Sequence, residues 1–341
     1  MHRGRTTRDR IRNIGLRWPG TAARALCLLL ASLVAPAAWA QSYPAKPIRF
    51  IVPFPPGGPT DICGRTAAKG ISDALGQPVV VENRPGAGGM IGTETIAKAP
   101  ADGYTIGVAT ISALSVGPHV FAKMPFDPVR DIAPITNLCL TIGALVAHPS
   151  LPANNVAELV AHAKANPGKL AYASTGVGTI VHLGMEHFAQ RAGIQLNHVP
   201  YKGAAPALAD LLAGTVLLSA DSSLVAAASN VKSGKLKLIA VTSAKRSPLF
   251  PDTPTVAESG YPGFDVSAWF GLVGPGGLPR EIVARLNGAA VKALREKDAT
   301  ERLTALGAEV VADTPEQFAR TISDGIARWG PVVKATGLKP E

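Results

Sequence analysis

Short apolar, β-branched runs alternate with helical segments along the chain from residue 48 onwards. This alternation is typical of an α/β fold, and the length of 341 residues allows two domains. The pattern predicts strands at 48–53, 78–82, 104–109, 134–147, 170–173, 196–200, 215–220, 236–242 and 266–273. It predicts helices at 60–76, 92–98, 154–165, 179–192, 204–213, 223–233, 279–297, 298–306 and 315–334.

Two of the apolar runs predict crossings between two lobes. The run from Pro134 to Pro149 is too long for one ordinary strand, since most strands have about five or six residues. The run at 264–273 predicts the return crossing. We therefore expect a discontinuous lobe 1 at 41–143 plus 264–341, with the C-terminal helices packed on it, and lobe 2 at 144–263.

A glycine-rich loop follows the first predicted strand. The strand ends at Val52, a Pro/Gly turn follows, and a helical pattern begins at Thr60. Backbone N–H groups at a helix N-terminus are unpaired and carry the positive end of the helix dipole, so such a site favours an anion. Gly57 and Gly58 let the backbone approach a ligand closely. The Thr60 hydroxyl can cap the helix or donate to a carboxylate.

A second loop of the same kind follows the predicted strand at 170–173. Its hydroxyls and glycine N–H groups suit a carboxylate held by neutral donors, which avoids burying an unpaired charge. Two strand–loop–helix sites on one chain suggest a two-lobed anion clamp. The residues that we assign to this second site are Ser174, Thr175, Gly176, Gly178 and Thr179.

Two ionisable residues close to these loops suit structural roles. Asp61 is negative, so it suits hydrogen bonds with first-turn N–H groups or a neighbouring loop better than contact with an anion. His182 lies one turn into the helix after the second loop, where a lone histidine is more often structural than a ligand contact. Direct ligand contact stays the alternative for each.

The first 40 residues predict export. Seven arginines precede an apolar core from Leu26 to Ala35, and Ala38-Trp39-Ala40 supplies small residues at a signal-peptidase site. The core has about ten residues, too short to span a bilayer about 30 Å thick, so a retained anchor is the less favoured alternative. We therefore predict a signal peptide at 1–40, cleaved after Ala40, and a periplasmic protein exported by the general secretory route.

The charge distribution argues against a nucleic-acid partner. The chain carries a formal net charge of +10, and the predicted signal peptide, with seven Arg and one Asp, accounts for six of these charges. The remaining basic residues are scattered, aromatic residues are few, and no basic stripe or reading motif is present. A mildly basic mature chain suits an acidic ligand.

Two cysteines remain after the predicted signal peptide. Cys63 lies in the first turn of a predicted helix and Cys139 in a predicted strand. They could pair in an oxidising compartment, but nothing in the sequence brings them together, and we favour two separate, reduced side chains. No CxxC, HExxH or His/Cys cluster is present, so we predict no metal and no other cofactor.

The sequence contains no recognisable enzyme motif. No Gly-x-Ser-x-Gly elbow occurs, the histidines have no companion motif, and the stretch at 176–179 lacks the third glycine of a dinucleotide fingerprint. We therefore assign no catalytic residue. An exported α/β enzyme acting on a small organic acid ranks second to a binding protein. An adhesion or structural module, the third class, explains export but not the two paired loops.

A series of ordered motifs runs through essentially the whole mature chain. They are Tyr43-Pro44-x-Lys46-Pro47-Ile48-Arg49, Val52-Pro53-Phe54-Pro55-Pro56-Gly57-Gly58-Pro59-Thr60-Asp61, Val81-Glu82-Asn83-Arg84-Pro85-Gly86-Ala87-Gly88-Gly89, Ala101-Asp102-Gly103-Tyr104-Thr105, Gly-x-Gly-Thr-x-x-His-Leu at 176–183, Val199-Pro200-Tyr201-Lys202-Gly203 and Trp269-Phe270-Gly271. With these motifs the chain resembles the Bug receptors, the extracytoplasmic solute-binding proteins of tripartite tricarboxylate transporters.

The resemblance implies a type II periplasmic-binding fold. Two α/β lobes, joined by a hinge of two crossing strands, would close on a small carboxylate-bearing solute in the cleft between them. The two glycine-rich loops would hold the carboxylate, partly through backbone amides and ordered water. The resemblance also implies delivery to a tripartite tricarboxylate-type permease or to a sensor protein, and we expect a monomer. The positions that it assigns to the ligand are Phe54, Pro55, Gly57, Gly58 and Thr60, then Ser174, Thr175, Gly176, Gly178 and Thr179, with Thr110, Ile111, Ser112, Asp221 and Ser222 in the pocket wall.

The stretch after Asp221 departs from the family pattern. It reads Ser222-Ser223-Leu224-Val225 where the family tends to have a Leu-Pro-rich stretch, and Leu217 stands where an acidic residue is common. Asp221 could repel a second acidic group on a ligand, or it could cap the helix that begins near Ser223. The sequence therefore does not specify which carboxylate is bound.

Overall fold

The computed structural model describes residues 43–221, 224–305 and 307–338. The predicted signal peptide with its cleavage site after Ala40, and the predicted pocket-wall residue Ser222, lie outside these ranges. None of the helices within the ranges combines the length and the apolar character that a bilayer crossing requires.

Eleven strands and ten α-helices form in the described ranges. The strands are β1 (Ile48–Val52), β2 (Val79–Asn83), β3 (Thr105–Thr110), β4 (Ile132–Ile142), β5 (Ala144–Ala147), β6 (Ala171–Ser174), β7 (Asn197–Pro200), β8 (Leu218–Asp221), β9 (Lys237–Val241), β10 (Ser267–Pro275) and β11 (Ala308–Val310). The helices are α1 (Pro59–Leu75), α2 (Met90–Ala97), α3 (Gly117–Val120), α4 (Val156–Ala165), α5 (Ile180–Ala192), α6 (Ala204–Leu212), α7 (Leu224–Lys232), α8 (Arg280–Leu294), α9 (Lys297–Ala305) and α10 (Pro315–Thr336). A 3-10 turn at Ala87–Gly89 precedes α2, and a π-helical segment at Ser112–Val116 precedes α3.

The strands form two mixed sheets. The six-stranded sheet has the order β11-β4-β10-β3-β1-β2, in which β1 runs parallel to β2 and β3 while β10 runs antiparallel to β3 and β4. The five-stranded sheet has the order β7-β6-β8-β5-β9, in which β6 runs parallel to β7 and β8 while β5 runs antiparallel to β8 and β9. The predicted α/β class is confirmed.

The chain passes from one sheet to the other next to Gly143. The run over 134–147 that predicts one crossing strand forms two strands instead, because β4 ends in the six-stranded sheet and β5 begins in the other. Gly143 O accepts a hydrogen bond of 2.9 Å from Thr242 N, and Thr242 O accepts one of 2.7 Å from Val266 N. The outgoing and returning segments are thus joined through Thr242. The lobe boundaries given above stay a prediction.

Helix α1 packs closely on the six-stranded sheet. It begins after the N-cap Gly58 with Pro59 at its first position, and it ends at Gly76, whose φ of 68° lies in the left-handed region. A Cβ at Gly64 would lie 2.9 Å from Val108 Cγ2, so the absence of a side chain there permits the close approach. This packing places the first glycine-rich loop at the carboxyl end of β1.

Cys63 and Cys139 form a disulfide, which corrects the preference for two separate cysteines. Cys63 lies on the buried face of α1, and Cys139 is a fully buried residue of β4. Their Cα atoms are 6.8 Å apart, at the upper end of the usual range. The two residues are 76 positions apart in sequence, so only the packing of α1 across the sheet brings them together.

The C-terminal helix α10 packs on the six-stranded sheet. Phe318 of α10 is fully buried and packs edge-to-face on Trp269 of β10, with ring centroids 5.2 Å apart. A Cβ at Gly271 would lie 1.9 Å from the Phe318 ring, so β10 requires a glycine beneath the ring. Helices α1 and α8 also pack closely, because a Cβ at Gly70 of α1 would lie 2.0 Å from Ala293 Cβ of α8.

Strand β5 of the five-stranded sheet is buried on both faces. Leu145 and Ala147 of β5 face the main hydrophobic core, whereas Ala144 and Val146 face a separate cluster. Side chains alternate between the faces of a strand, so this division shows that helices cover both sides of β5.

Candidate ligand-binding site

A cavity that is partly open to solvent lies beside the carboxyl ends of β1, β3 and β6. Ligands of open α/β sheets bind at the carboxyl ends of the strands. Segments that follow strands of both sheets line this cavity. The lining residues are Phe54, Pro55, Pro56, Gly58, Pro59, Thr60, Thr110, Ile111, Ser112, Thr175, Ile180, Ala204, Ala205, Ala268 and Phe270.

The first glycine-rich loop brings the N-terminus of α1 to the cavity. Gly58 is the N-cap residue and provides no side-chain cap, and Pro59 has no N–H. The amide of Thr60 belongs to the first turn, so it has no intrahelical partner. Thr60 is buried and lines the cavity, where it offers an amide and a hydroxyl at the positive end of the helix dipole.

Asp61 holds the first loop in position. Its carboxylate accepts hydrogen bonds from Gly57 N at 3.1 Å, from Asn83 Nδ2 at 2.8 Å and from Arg65 Nε at 2.9 Å. Asn83 Nδ2 also donates to Phe54 O at 2.8 Å. Burial raises the pKa of the Asp61 carboxyl, but the hydrogen bonds from Arg65, Asn83 and Gly57 outweigh it and hold this pKa below its ordinary value. These contacts favour the structural role that the sequence suggests for Asp61.

The segment after β3 connects the cavity to α5. Thr110 Oγ1 accepts a hydrogen bond from Ala113 N at 3.4 Å, and Ser112 Oγ accepts one from Ile180 N at 3.0 Å. Ile180 is the first residue of α5, so Ser112 occupies a first-turn amide that an anion would otherwise use. Thr110 and Ser112 themselves line the cavity.

The second glycine-rich loop is folded mainly on itself. Ser174 Oγ accepts a hydrogen bond from Gly176 N at 3.1 Å, and Thr179 Oγ1 donates to Gly176 O at 2.7 Å. Thr179 also caps α5 by accepting a bond from the amide of the third helical residue. Thr175 lines the cavity. The predicted residues of this loop that do not line it are Ser174, Gly176, Gly178 and Thr179.

A stacked histidine pair supports this second loop. His182 Nδ1 accepts a hydrogen bond from Gly178 N at 3.2 Å, and its ring stacks on that of His198 with centroids 3.9 Å apart. His198 Nε2 lies 2.6 Å from Ser174 Oγ. Burial lowers the pKa of His182 to about 3, with a further contribution from His198, and burial lowers the pKa of His198 to about 4. Both rings are neutral at pH 7, so they add no positive charge to the site.

The N-terminus of α6 also lines the cavity. None of the ligand positions predicted from the sequence lies in this helix. Ala204 and Ala205 begin α6, and the N-cap Gly203 provides no side-chain cap. Gly203 has a φ of 147°, and a Cβ there would lie 3.0 Å from Pro55 Cδ. The motif that ends in Gly203 is the signal in the sequence that could have identified this position.

The remaining predicted site residues fall into three groups. Phe54, Pro55 and Gly58 line the cavity, whereas Gly57 donates its amide to Asp61 and is not among the lining residues. Asp221 ends β8 opposite Ala144 of β5. Its assignment to the pocket wall, and that of Ser222, stay predictions. Seven further residues line the cavity without having been predicted from the sequence. They are Pro56, Pro59, Ile180, Ala204, Ala205, Ala268 and Phe270.

The chemistry of the lining is neutral. Among the described residues, no acidic or basic side chain lines the cavity. Its polar groups are amides at the N-termini of α1 and α6 and the hydroxyls of Thr60, Thr110, Ser112 and Thr175. This set can hold an anion through neutral donors. In the ranges that the structure covers, no group of three or more His, Cys, Asp or Glu side chains could hold a metal ion.

Residues 63–338 match the family model described as Tripartite tricarboxylate transporter family receptor. The match covers far more than half of the chain. The chain belongs to this receptor family. The resemblance to Bug receptors is thereby confirmed, and the family consists of periplasmic solute-binding receptors.

Three members illustrate the similarity. Protein BugT of Bordetella pertussis (strain Tohama I) is 42% identical over 310 residues, which are 91% of this chain and 94% of BugT. The structure of R. palustris Rpa4515 with adipate is 36% identical, with a TM-score of 0.84, and the alignment covers 88% of this chain and 100% of that one. The structure of MatC (Rpa3494) from Rhodopseudomonas palustris with bound malate is 33% identical, with a TM-score of 0.82. The alignment covers 85% of this chain and 100% of that one. These similarities confirm the predicted periplasmic-binding fold.

Proposed function

We propose that this receptor captures a small carboxylate-bearing solute in the cavity beside the carboxyl ends of β1, β3 and β6. The observation that carries the proposal is the pair of helix N-termini, those of α1 and α6, that line the cavity without side-chain caps. An anion placed there receives hydrogen bonds from amides and hydroxyls and needs no buried counter-charge. The adipate bound to Rpa4515 and the malate bound to MatC support a carboxylate as the ligand.

The hydroxyls of Thr60, Ser112 and Thr175 complete the carboxylate site in this proposal. Thr60 and Thr175 come from the two glycine-rich loops, and Ser112 follows β3. Each hydroxyl can donate one hydrogen bond while its oxygen accepts another. Together with the amides they satisfy the several lone pairs of a carboxylate.

The receptor acts in the periplasm and passes its solute on. The arginine-rich segment and the apolar core that follows it support export by the general secretory route with cleavage after Ala40. We propose a monomer that delivers the solute to a tripartite tricarboxylate-type permease or to a sensor protein. Membership of the receptor family supports this assignment.

A binding role is favoured over the enzyme alternative by the lining of the cavity. No titratable side chain among the described residues faces it, so a bound acid meets no general acid or base there. Ser174 and His198 lie 2.6 Å apart, as in a nucleophile–base pair, but neither residue lines the cavity. Their contact supports the loop instead.

A thermal-shift screen of small molecules tests the proposal. Small carboxylic acids should raise the melting temperature of the mature protein, while sugars and amines should not. Thr60→Val removes a hydroxyl from the cavity while the side chain keeps nearly the same size. This variant should bind the tightest acid roughly fivefold to tenfold more weakly than the wild type does. Hits among sugars or amines alone would overturn the proposal.

Thr66→Val is the matched control for this screen. Thr66 lies in the same helix, α1, but its hydroxyl donates to Ile62 O at 2.9 Å and it does not line the cavity. The control variant should respond to acids as the wild type does. If both variants lose the same affinity, the effect comes from α1 as a whole and not from the Thr60 hydroxyl.

A further inference from the structure

A second pocket adjoins the first, and we call it the second cavity. Ile180 of α5 and Ala268 of β10 line both cavities, so they mark the junction between them. The wall beyond the junction is built mainly from Leu145, Val181, Met185 and Phe264. A solute that is held at the helix N-termini could therefore extend past Ile180 and Ala268 into an apolar space.

The polar groups of the second cavity are engaged with the protein. The Thr242 hydroxyl donates to Val266 O at 2.6 Å, and Ser267 Oγ lies 3.5 Å from Asp265 Oδ1. No Lys, Arg or His side chain is among the described residues that line either cavity. Among the described lining residues, a second carboxylate in this space would find neither a cation nor an uncommitted side-chain donor to replace its lost hydration, which is costly.

For an apolar group, by contrast, transfer from water into the second cavity is favourable. The group leaves water when it enters the second cavity and contacts the Leu145, Met185 and Phe264 side chains. Each buried methylene then adds to the affinity. The two cavities thus differ in chemistry, since the first offers amides and hydroxyls and the second offers apolar contact.

We infer that the solute is a monocarboxylate with an apolar body rather than a dicarboxylate. Its carboxylate lies at the N-termini of α1 and α6, and its body passes between Ile180 and Ala268 into the second cavity. The inference rests on the proposed carboxylate-binding function and specifies the class of solute. It also separates this chain from the relatives whose structures hold adipate and malate.

Isothermal titration with matched acids tests the inference. Hexanoate and adipate have the same chain length and differ at one end, so hexanoate should bind at least about tenfold more tightly. From butanoate to octanoate, each added methylene should tighten binding about threefold to fourfold until the cavity is full. Adipate binding as tightly as hexanoate, or an affinity that does not change along the series, would overturn the inference and leave the proposed function intact. If none of these acids binds while other carboxylic acids of the screen do, the inference fails and the proposed function stands. If no carboxylic acid of the screen binds, the proposed function itself fails.

A variant that fills the second cavity locates the apolar body. Met185→Phe places a larger side chain in the wall, so the octanoate-to-butanoate affinity ratio should fall at least about tenfold. Met124→Phe is the matched control, because Met124 is partly buried but lines neither cavity, and its ratio should equal that of the wild type. An unchanged ratio in Met185→Phe would place the tail elsewhere and overturn the inference. Val181→Leu, which adds one methylene to the same wall, gives the same comparison with a smaller expected fall of about threefold.

Discussion

Ser112 Oγ accepts a hydrogen bond of 3.0 Å from the backbone amide of Ile180. Ser112 follows β3 of the six-stranded sheet, and Ile180 begins the helix after β6 of the five-stranded sheet. Both residues line the cavity, so the bond joins segments of the two sheets at the candidate site. Because the serine oxygen receives the amide proton, its hydroxyl proton can be directed to a ligand carboxylate.

Ser112→Ala should weaken binding of the tightest acid by about tenfold, the usual worth of one hydrogen bond to a charged group. It should also lower the melting temperature, since the buried Ile180 amide loses its partner. Isothermal titration and thermal unfolding measure the two effects. Ser115→Ala is the control, because the buried Ser115 hydroxyl donates to Ile322 O at 3.3 Å and lines neither cavity. Wild-type affinity in Ser112→Ala would show that this hydroxyl does not touch the ligand.

The disulfide between Cys63 and Cys139 should contribute about 4 kcal/mol to the free energy of unfolding, because it closes a loop between residues 76 positions apart. The double variant Cys63→Ala/Cys139→Ala should therefore melt roughly 5–10 °C below the oxidised wild type. Reduction of the wild type should produce a similar fall, and the same reducing agent should leave the double variant unchanged. A double variant that melts with the oxidised wild type would contradict the bond's structural role.

The buried pair of His182 and His198 predicts a loss of stability below neutral pH. Their folded pKa values, about 3 and about 4, lie below the usual 6.5 because burial disfavours the charged rings. As the pH falls below about 6.5, the unfolded chain binds protons that the folded chain does not. The stability is therefore complete above this pH and is lost progressively towards pH 4 to 3. The melting temperature should change little above about pH 7 and should decrease steadily from about pH 6.5 to pH 5.

His198→Gln separates this effect from other titrations. The glutamine cannot be protonated but can still hydrogen-bond with Ser174, so its melting temperature should depend less on pH over the same range. His187, whose pKa burial also lowers, is present in both proteins and cancels in the comparison. Equal pH dependence in the two proteins would show that the histidine pair does not limit stability in acid.

Local sequence was sufficient for the elements around the first loop. The apolar run before Pro53, the glycines at 57 and 58 and the helical pattern from Thr60 predict β1, the loop and α1 within one or two residues. The run at 170–173 and the helical pattern at 179–192 likewise predict β6 and α5 within one residue. Periodicity and turn residues are local signals, so they identify such units without knowledge of their neighbours.

Features that depend on strand order could not be predicted in this way. The disulfide needs α1 to pack across the sheet to β4, and β4 lies beside β10 from a distant part of the chain. The N-terminus of α6 lines the cavity because Gly203 lies close to Pro55, and these two residues are far apart in sequence. The sequence predicts the second loop as the partner of the first, and its ligand role stays a prediction. The sequence could not show that Ser112 and Thr179 accept hydrogen bonds from two first-turn amides of α5, those of Ile180 and His182. No local signal marked the π-helical segment Ser112–Val116.

The most direct test of the account compares one acid with its neutral amide. Isothermal titration at pH 7.5 with the tightest acid of the screen, beginning with hexanoate, and then with its primary amide changes the charge of the head group and little else. Because the donors at α1 and α6 and the hydroxyl groups favour an anion, the acid should bind at least about tenfold more tightly than the amide. Equal or tighter binding of the amide would contradict a carboxylate receptor.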